Sequence, residues 1–551
     1  MSRWLGQPYV KGSSEAMRMA LLTLNNVGVT FVWGVEQTYC TAYLLSLGLT
    51  KSKTSLVWIA GPLSGLIVQP IVGALADDSR SKWGRRRPFI VVGALLSALS
   101  VLTLGFTKEI VGSFISNEET AQAVTVYVAV LAIYAVDFSI NAVMSAARSL
   151  VVDTLPIEKQ QTGSAWSSRM SAIGHGLAYG TGAIDLPSLF GTFLGDTQFK
   201  QLTVIASVGL LVTCGVTIWA VTERVLVAPR HDLHKEKNRF KVIGQIWSTV
   251  MHLPPRIQAI CNAQFWSWVG WFPFMFYSTT WIGETYFRYD APHDAKQSGD
   301  ALGEIGRVGS EAFIVYSVIT FLGSWILPMI IKSPDEESFT QRPPQSLRKV
   351  VEKFNRYKPD LLTAWMCGHI TFSAAMAFAP FATSFRFATL LVCLCGLPWN
   401  IASWAPSAFL GVEVNRLSGA TGAGASYRRH SNDSDLEMAE TNGLVSPSIL
   451  RLDHGPDDPH SPSKSSSTGE LSGVYFGILN IYTTIPQFIG TILSTVVFSL
   501  LEPGKSPELT DGANPDEQHK TDGPNAIAVC LFIGACSTVV AVFATRKLKY
   551  L

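Results

Sequence analysis

The chain has 551 residues, of which 48% are hydrophobic and only 15% charged, against about 25% charged in a soluble protein. Its net charge is +2, so the balance gives no ground for a nucleic-acid partner. The apolar residues gather in runs of about 20, the length that crosses a bilayer core as a helix, and this indicates a polytopic membrane protein.

The opening residues, MSRWLGQPYVKGSSEAMRMA, have no short apolar core followed by a small-residue cleavage site, so no cleaved signal peptide is expected. Twelve spans follow, near 20–47, 54–76, 88–106, 122–148, 164–190, 203–222, 259–287, 311–331, 361–382, 386–411, 473–500 and 524–545. An even number places both ends on one side. The links after spans 2, 6 and 8 are rich in Lys and Arg, whereas EPGKSPELTDGANPDEQHKTDGP after span 11 is mostly acidic. Basic loops are retained inside, so both termini are expected in the cytoplasm, and the plasma membrane is the expected location.

Residues 223–258 form a polar link that divides the spans six and six, which predicts two six-helix bundles, 1–222 and 259–551, around a central path. Residues 413–472 read as a disordered cytoplasmic insert, too polar to bury a core. Within it, RRHS sets Arg428 and Arg429 ahead of Ser431, a weak pattern for a regulatory kinase. The sequon at Asn432 is expected to stay unused on that side. All eight cysteines fall inside apolar runs, which points to packing rather than a disulfide framework or a metal site.

The stretch YAVDFSINAVMSAARSL, in span 4, carries two charges where hydrocarbon penalises both. Asp137 and Arg148 are eleven residues apart, close to three helical turns, and with Asn141 they form one polar stripe facing the bundle. The bland reading of Arg148 is a side chain snorkelling to the cytoplasmic edge; Asp137, mid-span, has no such exit. Burial opposes the charge of Asp137 and a neighbouring cation favours it, which suits a group that loads and releases a proton, with Arg148 as its partner.

Binding a polar small solute along such a path needs aromatic faces and paired donors and acceptors. Trp33 and Glu36 in span 1, His175 in span 5, Glu284 in span 7, Asn400 in span 10, and Asn480 and Gln487 in span 11 are candidates, alongside Asn141. Packing or an interface belt is the ordinary alternative for each aromatic and amide, but a buried acid such as Glu36 is a functional candidate by default. Between spans 2 and 3, GALADDSRSKWGRRRPF brings together Asp77, Gly84, Arg85, Arg86 and Arg87, which suits a cytoplasmic latch of a two-state machine as well as a topology signal. EPGKS lacks the first Gly of a phosphate loop, and neither H-E-x-x-H nor G-x-S-x-G occurs, so an enzyme is not expected.

The loop G-x-x-x-D-x-x-x-x-x-x-G-R-R-R resembles the signature of the major facilitator superfamily. With GRRRPF, WIAGPLSGLIVQPIVG, WSWVGWFPF, LNIYTTIPQ and the Asp137–Arg148–Asp153 series, the chain is similar to the sucrose/α-glucoside–proton symporters of the glycoside-pentoside-hexuronide:cation type. The resemblance implies an all-α membrane protein with twelve transmembrane helices in two six-helix bundles. It also implies Asp137 as protonation site and sugar contact, Arg148 as its partner, and no cofactor beyond the coupling proton. Span 7 lacks the acidic residues of the plant pattern except Glu284, Lys51 stands at a plant His, and His175 at a plant Asn, features nearer the fungal branch. The expected activity is proton-coupled import of sucrose and/or maltose. A sugar sensor on the same scaffold, a facilitator, and a carrier of a monosaccharide or polyol are the alternatives.

Overall fold

The computed structural model describes residues 3–77, 79–155, 159–228, 253–291, 301–331, 358–417, 467–507 and 523–551. Among these residues the chain forms twelve long helical segments. Span 1 is built from Asn25–Val35, a π-helical turn Glu36–Cys40 and Thr41–Ser46. Lys51–Val57 and Ala60–Asp77 make span 2, Arg87–Gly105 span 3, Glu118–Thr154 span 4, Gln160–Ala183 span 5 and Gln198–Ala220 span 6. Pro255–Thr285 continues through a π-helical turn, Tyr286–Asp290, as span 7, and Ala301–Ile330 is span 8. Leu361–Ala377 is span 9, Phe385–Leu394 with Gly396–Leu417 span 10, Ser467–Leu501 span 11 and Ala526–Lys547 span 12.

Polar residues ahead of the apolar runs start several of these helices. Asn117 accepts from the amides of Glu119 and Thr120, Thr197 from Lys200, Asp360 from Thr363, and Asn525 from Ile527 and Ala528. Each satisfies donors that a helix leaves unpaired at its first turn. Leucines, valines and phenylalanines such as Leu99, Leu131, Val212 and Phe543 point outward, more than half exposed. Outward apolar side chains on helices that satisfy their own backbones are what a lipid environment requires.

Among the described residues nine segments are long and apolar enough to cross a membrane. The three others are spans 1, 5 and 7. Span 1 is interrupted by its π turn, and span 5 carries Ser164, Ser167, Ser168, Ser171 and His175 toward an internal cavity.

Span 4 packs on spans 2 and 3, span 6 on spans 1 and 3, and span 1 on span 5. In the second six, span 7 packs on spans 8, 11 and 12, and span 9 on spans 10 and 12. Small residues allow the closest approaches: a Cβ on Gly270 would lie 2.6 Å from the Gly534 carbonyl oxygen, so spans 7 and 12 touch backbone to backbone. The two sets of six meet where span 5 lies against span 8, span 2 against span 11, and the π turn of span 1 against span 7.

Two short strand pairs, unforeseen in the sequence, tie the N-terminal segment to the start of the inter-half link. β1 (Arg3–Leu5) pairs with β4 (Val225–Ala228), and β2 (Tyr9–Val10) with β3 (Val221–Thr222), both antiparallel. The expected 413–472 insert is narrower than predicted. Residues 413–417 lie in the span 10 helix, where Glu413 is anchored by Arg256 at 3.3 Å, and 467–472 lie in the span 11 helix. Ser431, Asn432 and the RRHS motif lie outside the described residues.

Candidate functional site

Between the two sets of helices lies a cavity of about 640 Å³, within the range of small-molecule sites. Its walls come from spans 1, 4, 5, 7, 8 and 10. Most of them lie in the halves of those spans nearer the face that carries the N-terminal segment and Val221–Ala228, called here the terminal face. Trp33, Tyr179, Phe274, Phe313, Tyr316 and Trp399 provide rings, while Gln37, His175, Asn400 and several serines provide polar groups. Arg148 lends the wall a cation. Rings for C–H faces beside amides and hydroxyls suit a neutral, polyhydroxylated ligand.

On the opposite face the halves are locked. Lys51, at the start of span 2, lies 2.7 Å from Glu284 in span 7 and 2.5 Å from Glu502 after span 11. Arg288, in the π turn of span 7, is 3.0 Å from Glu502 and 3.9 Å from Glu284, and Asn525 donates to Glu284 at 2.8 Å. Two cations thus meet two carboxylates with side chains no more than 8% exposed. Beneath them Ser55 donates to the Thr491 carbonyl and accepts from Tyr277, and Thr41 donates to the Phe276 carbonyl. The contacts of Lys51, Ser55 and Thr41 each join a first-half span to the second half, and Arg288 and Asn525 brace Glu284 and Glu502 from within the second half.

At the terminal face the basic loop folds back on its own half. Arg85 grips Asp153 with two bonds, at 2.6 and 3.1 Å, and Arg86 adds a third at 2.9 Å. Glu223, just past span 6, accepts the backbone amides of Arg85, Arg86 and Arg87 at 2.8–3.0 Å. Gly84 is required there: its φ is +110°, and a Cβ would come within 2.7 Å of the Glu223 carboxylate. Burial raises the Glu223 pKa above its ordinary value, an effect that outweighs the three amide bonds. Asp77 closes the span 2 helix, and its side chain lies outside the described residues.

A third polar cluster is buried midway along spans 1 and 4. Glu36 is 5% exposed and Asp137 is 4% exposed; they interact electrostatically, and Glu36 Oε1 and Asp137 Oδ2 have no hydrogen-bond partner. Arg148 is eleven residues along the same helix, a rise of about 16 Å. It faces the cavity, whereas Asp137 does not line it and lies against span 2, where a Cβ on Gly61 would sit 3.9 Å from its Oδ2.

The candidate residues therefore fall into separate places. Trp33, Arg148, His175 and Asn400 line the cavity, and Asn400 also donates to the Thr320 carbonyl at 2.7 Å. Asn141 is occupied in helix packing, accepting from Gln69 and donating to Ser64, both at 2.8 Å. Glu284 belongs to the opposite-face charge cluster. Asn480 is exposed, and Gln487 donates to the Thr483 carbonyl of its own helix. Sequence reasoning missed Arg288, Glu502 and Glu223. The signal available for them was a charge at the very end of an apolar run, where a charge also reads as mere solvation.

A sequence profile described as "MFS/sugar transport protein" matches residues 23–287. The "General alpha-glucoside permease" of Schizosaccharomyces pombe is 27% identical, with 97% of this chain and 94% of that protein aligned. "Sucrose transport protein SUC4" of Arabidopsis thaliana is 28% identical over 55% of this chain and 62% of its own length. Among solved structures, that of a D-xylose-proton symporter superposes with a TM-score of 0.55 at 13% identity, covering 97% of this chain and 98% of the other. A bacterial homolog of the human lysosomal transporter Spinster gives 0.53, with 98% of each chain covered. At 13% identity both likenesses establish the fold alone, an all-α membrane fold of the major facilitator type. With the span order and the basic loop closed on Asp153 and Glu223 go a match to the MFS/sugar transport protein profile across the first seven spans and a similarity to the general alpha-glucoside permease along nearly the whole length.

Proposed function

We propose that this protein is a proton-coupled symporter that imports α-glucoside disaccharides, sucrose and/or maltose, by alternating access. The observation that carries the reading is the central cavity, walled by rings, amides and hydroxyls from both halves and sealed at one face by the Lys51–Glu284–Glu502–Arg288 cluster. The full-length likeness to the general alpha-glucoside permease supports the substrate class. Two six-helix bundles, 1–222 and 259–551, rock about the cavity. The terminal face, with the basic loops, is cytoplasmic and the opposite face extracellular, in the plasma membrane.

In this cycle the structure corresponds to the inward-open state. Asp137 takes a proton from outside, and trading that proton across the membrane drives sugar uphill. Each proton moved down 100 mV is worth about 2.3 kcal/mol, or roughly fiftyfold in accumulation. Trp33, His175 and Asn400 hold the sugar, and Arg148 supplies the cation whose approach favours proton release. The Arg85–Asp153 contact holds the loop in the open form and is exchanged on closure.

The test is sugar-driven proton flux. Purified protein in liposomes at symmetric pH should acidify the lumen when maltose or sucrose is added outside, and not when a polyol is added. Saturable sugar entry without acidification would contradict coupling, and acidification by a polyol alone would contradict the substrate class.

A further inference from the structure

The charge cluster on spans 2, 7 and 11 closes one side of the cavity's outer end. On the other side, spans 1, 5 and 8 run past the cavity toward the opposite face. Gln37, Tyr179 and Phe313 are the last residues of these spans to line the cavity in that direction. Beyond them, within about two helical turns, come Tyr39, Gly182, and Ser310 with Gly306. Tyr39 is 1% exposed, and its hydroxyl donates to the Gly182 carbonyl of span 5 at 2.7 Å. That bond fixes the side chain to its own half, while the ring reaches into the other. A Cβ on Gly306 of span 8 would collide with three atoms of the ring. A Cβ on Gly182 would lie 2.5 Å from the Ser310 hydroxyl, so spans 5 and 8 leave no room for a side chain there either.

The backbone around Tyr39 is held against the second half on both sides. Tyr39 belongs to the π-helical turn Glu36–Cys40, an irregularity that recurs at functional positions in helices. Two residues before it, the Gln37 carbonyl accepts from Thr279 of span 7 at 3.0 Å. Two residues after it, Thr41 donates to the Phe276 carbonyl of the same span at 3.0 Å. Farther out, Arg307 of span 8 meets Asp185, just past span 5, at 3.0 Å.

We propose that Tyr39 is the knob of a second outer lock, seated in a slot that Gly306 and Gly182 keep free of side chains. The inference rests on the alternating-access reading and adds to it a positioning residue that handles neither sugar nor proton. The Lys51 cluster is an ionic lock; the Tyr39 lock is steric and closes only because residue 306 has no side chain. When the opposite face opens, span 8 moves off the ring, while the bond to Gly182 keeps Tyr39 with its own half. A methyl added at 306 therefore penalises the closed face and leaves the opened one untouched.

The experiment labels a single cysteine at Ser310, fully buried one turn beneath Gly306, in a background without the eight native cysteines. An impermeant maleimide is added outside whole cells, and maltose uptake is measured at matched surface expression. Gly306→Ala should raise the labelling rate at least about fivefold and lower the maximal uptake rate without raising KM, because the outward-opened form accumulates. Tyr39→Phe keeps the ring and should label like the parent. In Tyr39→Leu/Gly306→Ala the shorter, flexible side chain makes room for the methyl while still filling the slot, so labelling should fall back below that of Gly306→Ala. A cysteine at Ser207, buried between spans 3 and 6 inside the first half, should stay unlabelled in every variant. A merely structural Gly306 would lower expression or the melting temperature and leave labelling of the surface protein at the parent's rate. That result would overturn the proposal, as would a double variant labelled as fast as Gly306→Ala, or labelling at 207 as well as 310, which marks unfolding. A parent that takes up neither maltose nor sucrose sinks the symporter reading, whereas the labelling difference between parent and Gly306→Ala would still uphold the lock.

Discussion

Lys51→Met tests the seal at the opposite face. In the native structure Lys51 and Arg288 balance Glu284 and Glu502, with all four side chains at most 8% exposed. Removing the lysine ammonium leaves two buried carboxylates facing one guanidinium. Breaking a buried ion pair by deleting one partner typically costs about 3–5 kcal/mol, because the remaining charge is left uncompensated. That cost falls on the conformation closed at this face, since on opening the charges regain water separately. At 1.4 kcal/mol per tenfold, the equilibrium should shift toward the opened form by roughly a hundredfold to several thousandfold. The assay is maleimide labelling of a single cysteine at Ser55, which lies beneath the cluster and is fully buried, in a background without the eight native cysteines. An impermeant reagent added to whole cells should label Lys51→Met at least tenfold faster than its parent. The double variant Lys51→Met/Glu502→Gln restores neutrality and should recover much of the protection. Equal labelling of parent and Lys51→Met would refute the reasoning and make the cluster a passive packing feature.

Other perturbations probe different parts of the molecule. Glu223 is harder to ionise in the folded chain because it is buried, so it contributes stability that is present below its ordinary value of 4.5 and lost as pH rises through the raised folded value. Melting curves between pH 4.5 and 7 should therefore fall less steeply in Glu223→Gln than in wild type, and equal slopes would exclude the effect. Gly270→Val would press a side chain to within 2.6 Å of the Gly534 carbonyl and the Thr538 hydroxyl, so a loss of about 1–3 kcal/mol, read as a lower melting temperature in detergent, is expected. Unchanged melting would mean that spans 7 and 12 separate easily. Trp33→Ala should raise the KM for maltose roughly three- to tenfold at similar kcat, the worth of one aromatic contact, and no change in KM would remove Trp33 from the sugar site.

Much of this architecture is legible in the residues, for reasons that differ by element. Spans such as Glu118–Thr154 and Ala526–Lys547 declare themselves by apolar length alone. Spans 1, 5 and 7 do not reach that standard, and they are found only because apolar positions recur with helical spacing around their polar ones. Asp137 and Glu36 stand out because hydrocarbon tolerates no idle carboxylate. Their proximity is a tertiary fact, since about a hundred residues separate them. Helical spacing did place Asp137, Asn141 and Arg148 along one side of span 4. It could not say that the first two lie against span 2 and leave only Arg148 facing the cavity. Glu284 shows the same limit: its burial was readable and Arg288 is one helical turn on, but its closest partners, Lys51 and Asn525, come from distant parts of the chain that no local pattern links. The pairing of β1 with β4 was hidden because two- to four-residue strands leave too short a periodic signal.

The account depends most on Asp137 as the group that ties sugar movement to the proton. The measurement is accumulation of labelled maltose and sucrose in yeast lacking its own carriers, at pH 5 and pH 7, for wild type and Asp137→Asn at matched surface expression. Wild type should concentrate at least one of the sugars at pH 5 and lose the gradient when a protonophore is added, and the variant should equilibrate sugar without concentrating it. A variant that accumulates as well as wild type, or a wild type that takes up neither sugar, would contradict the account.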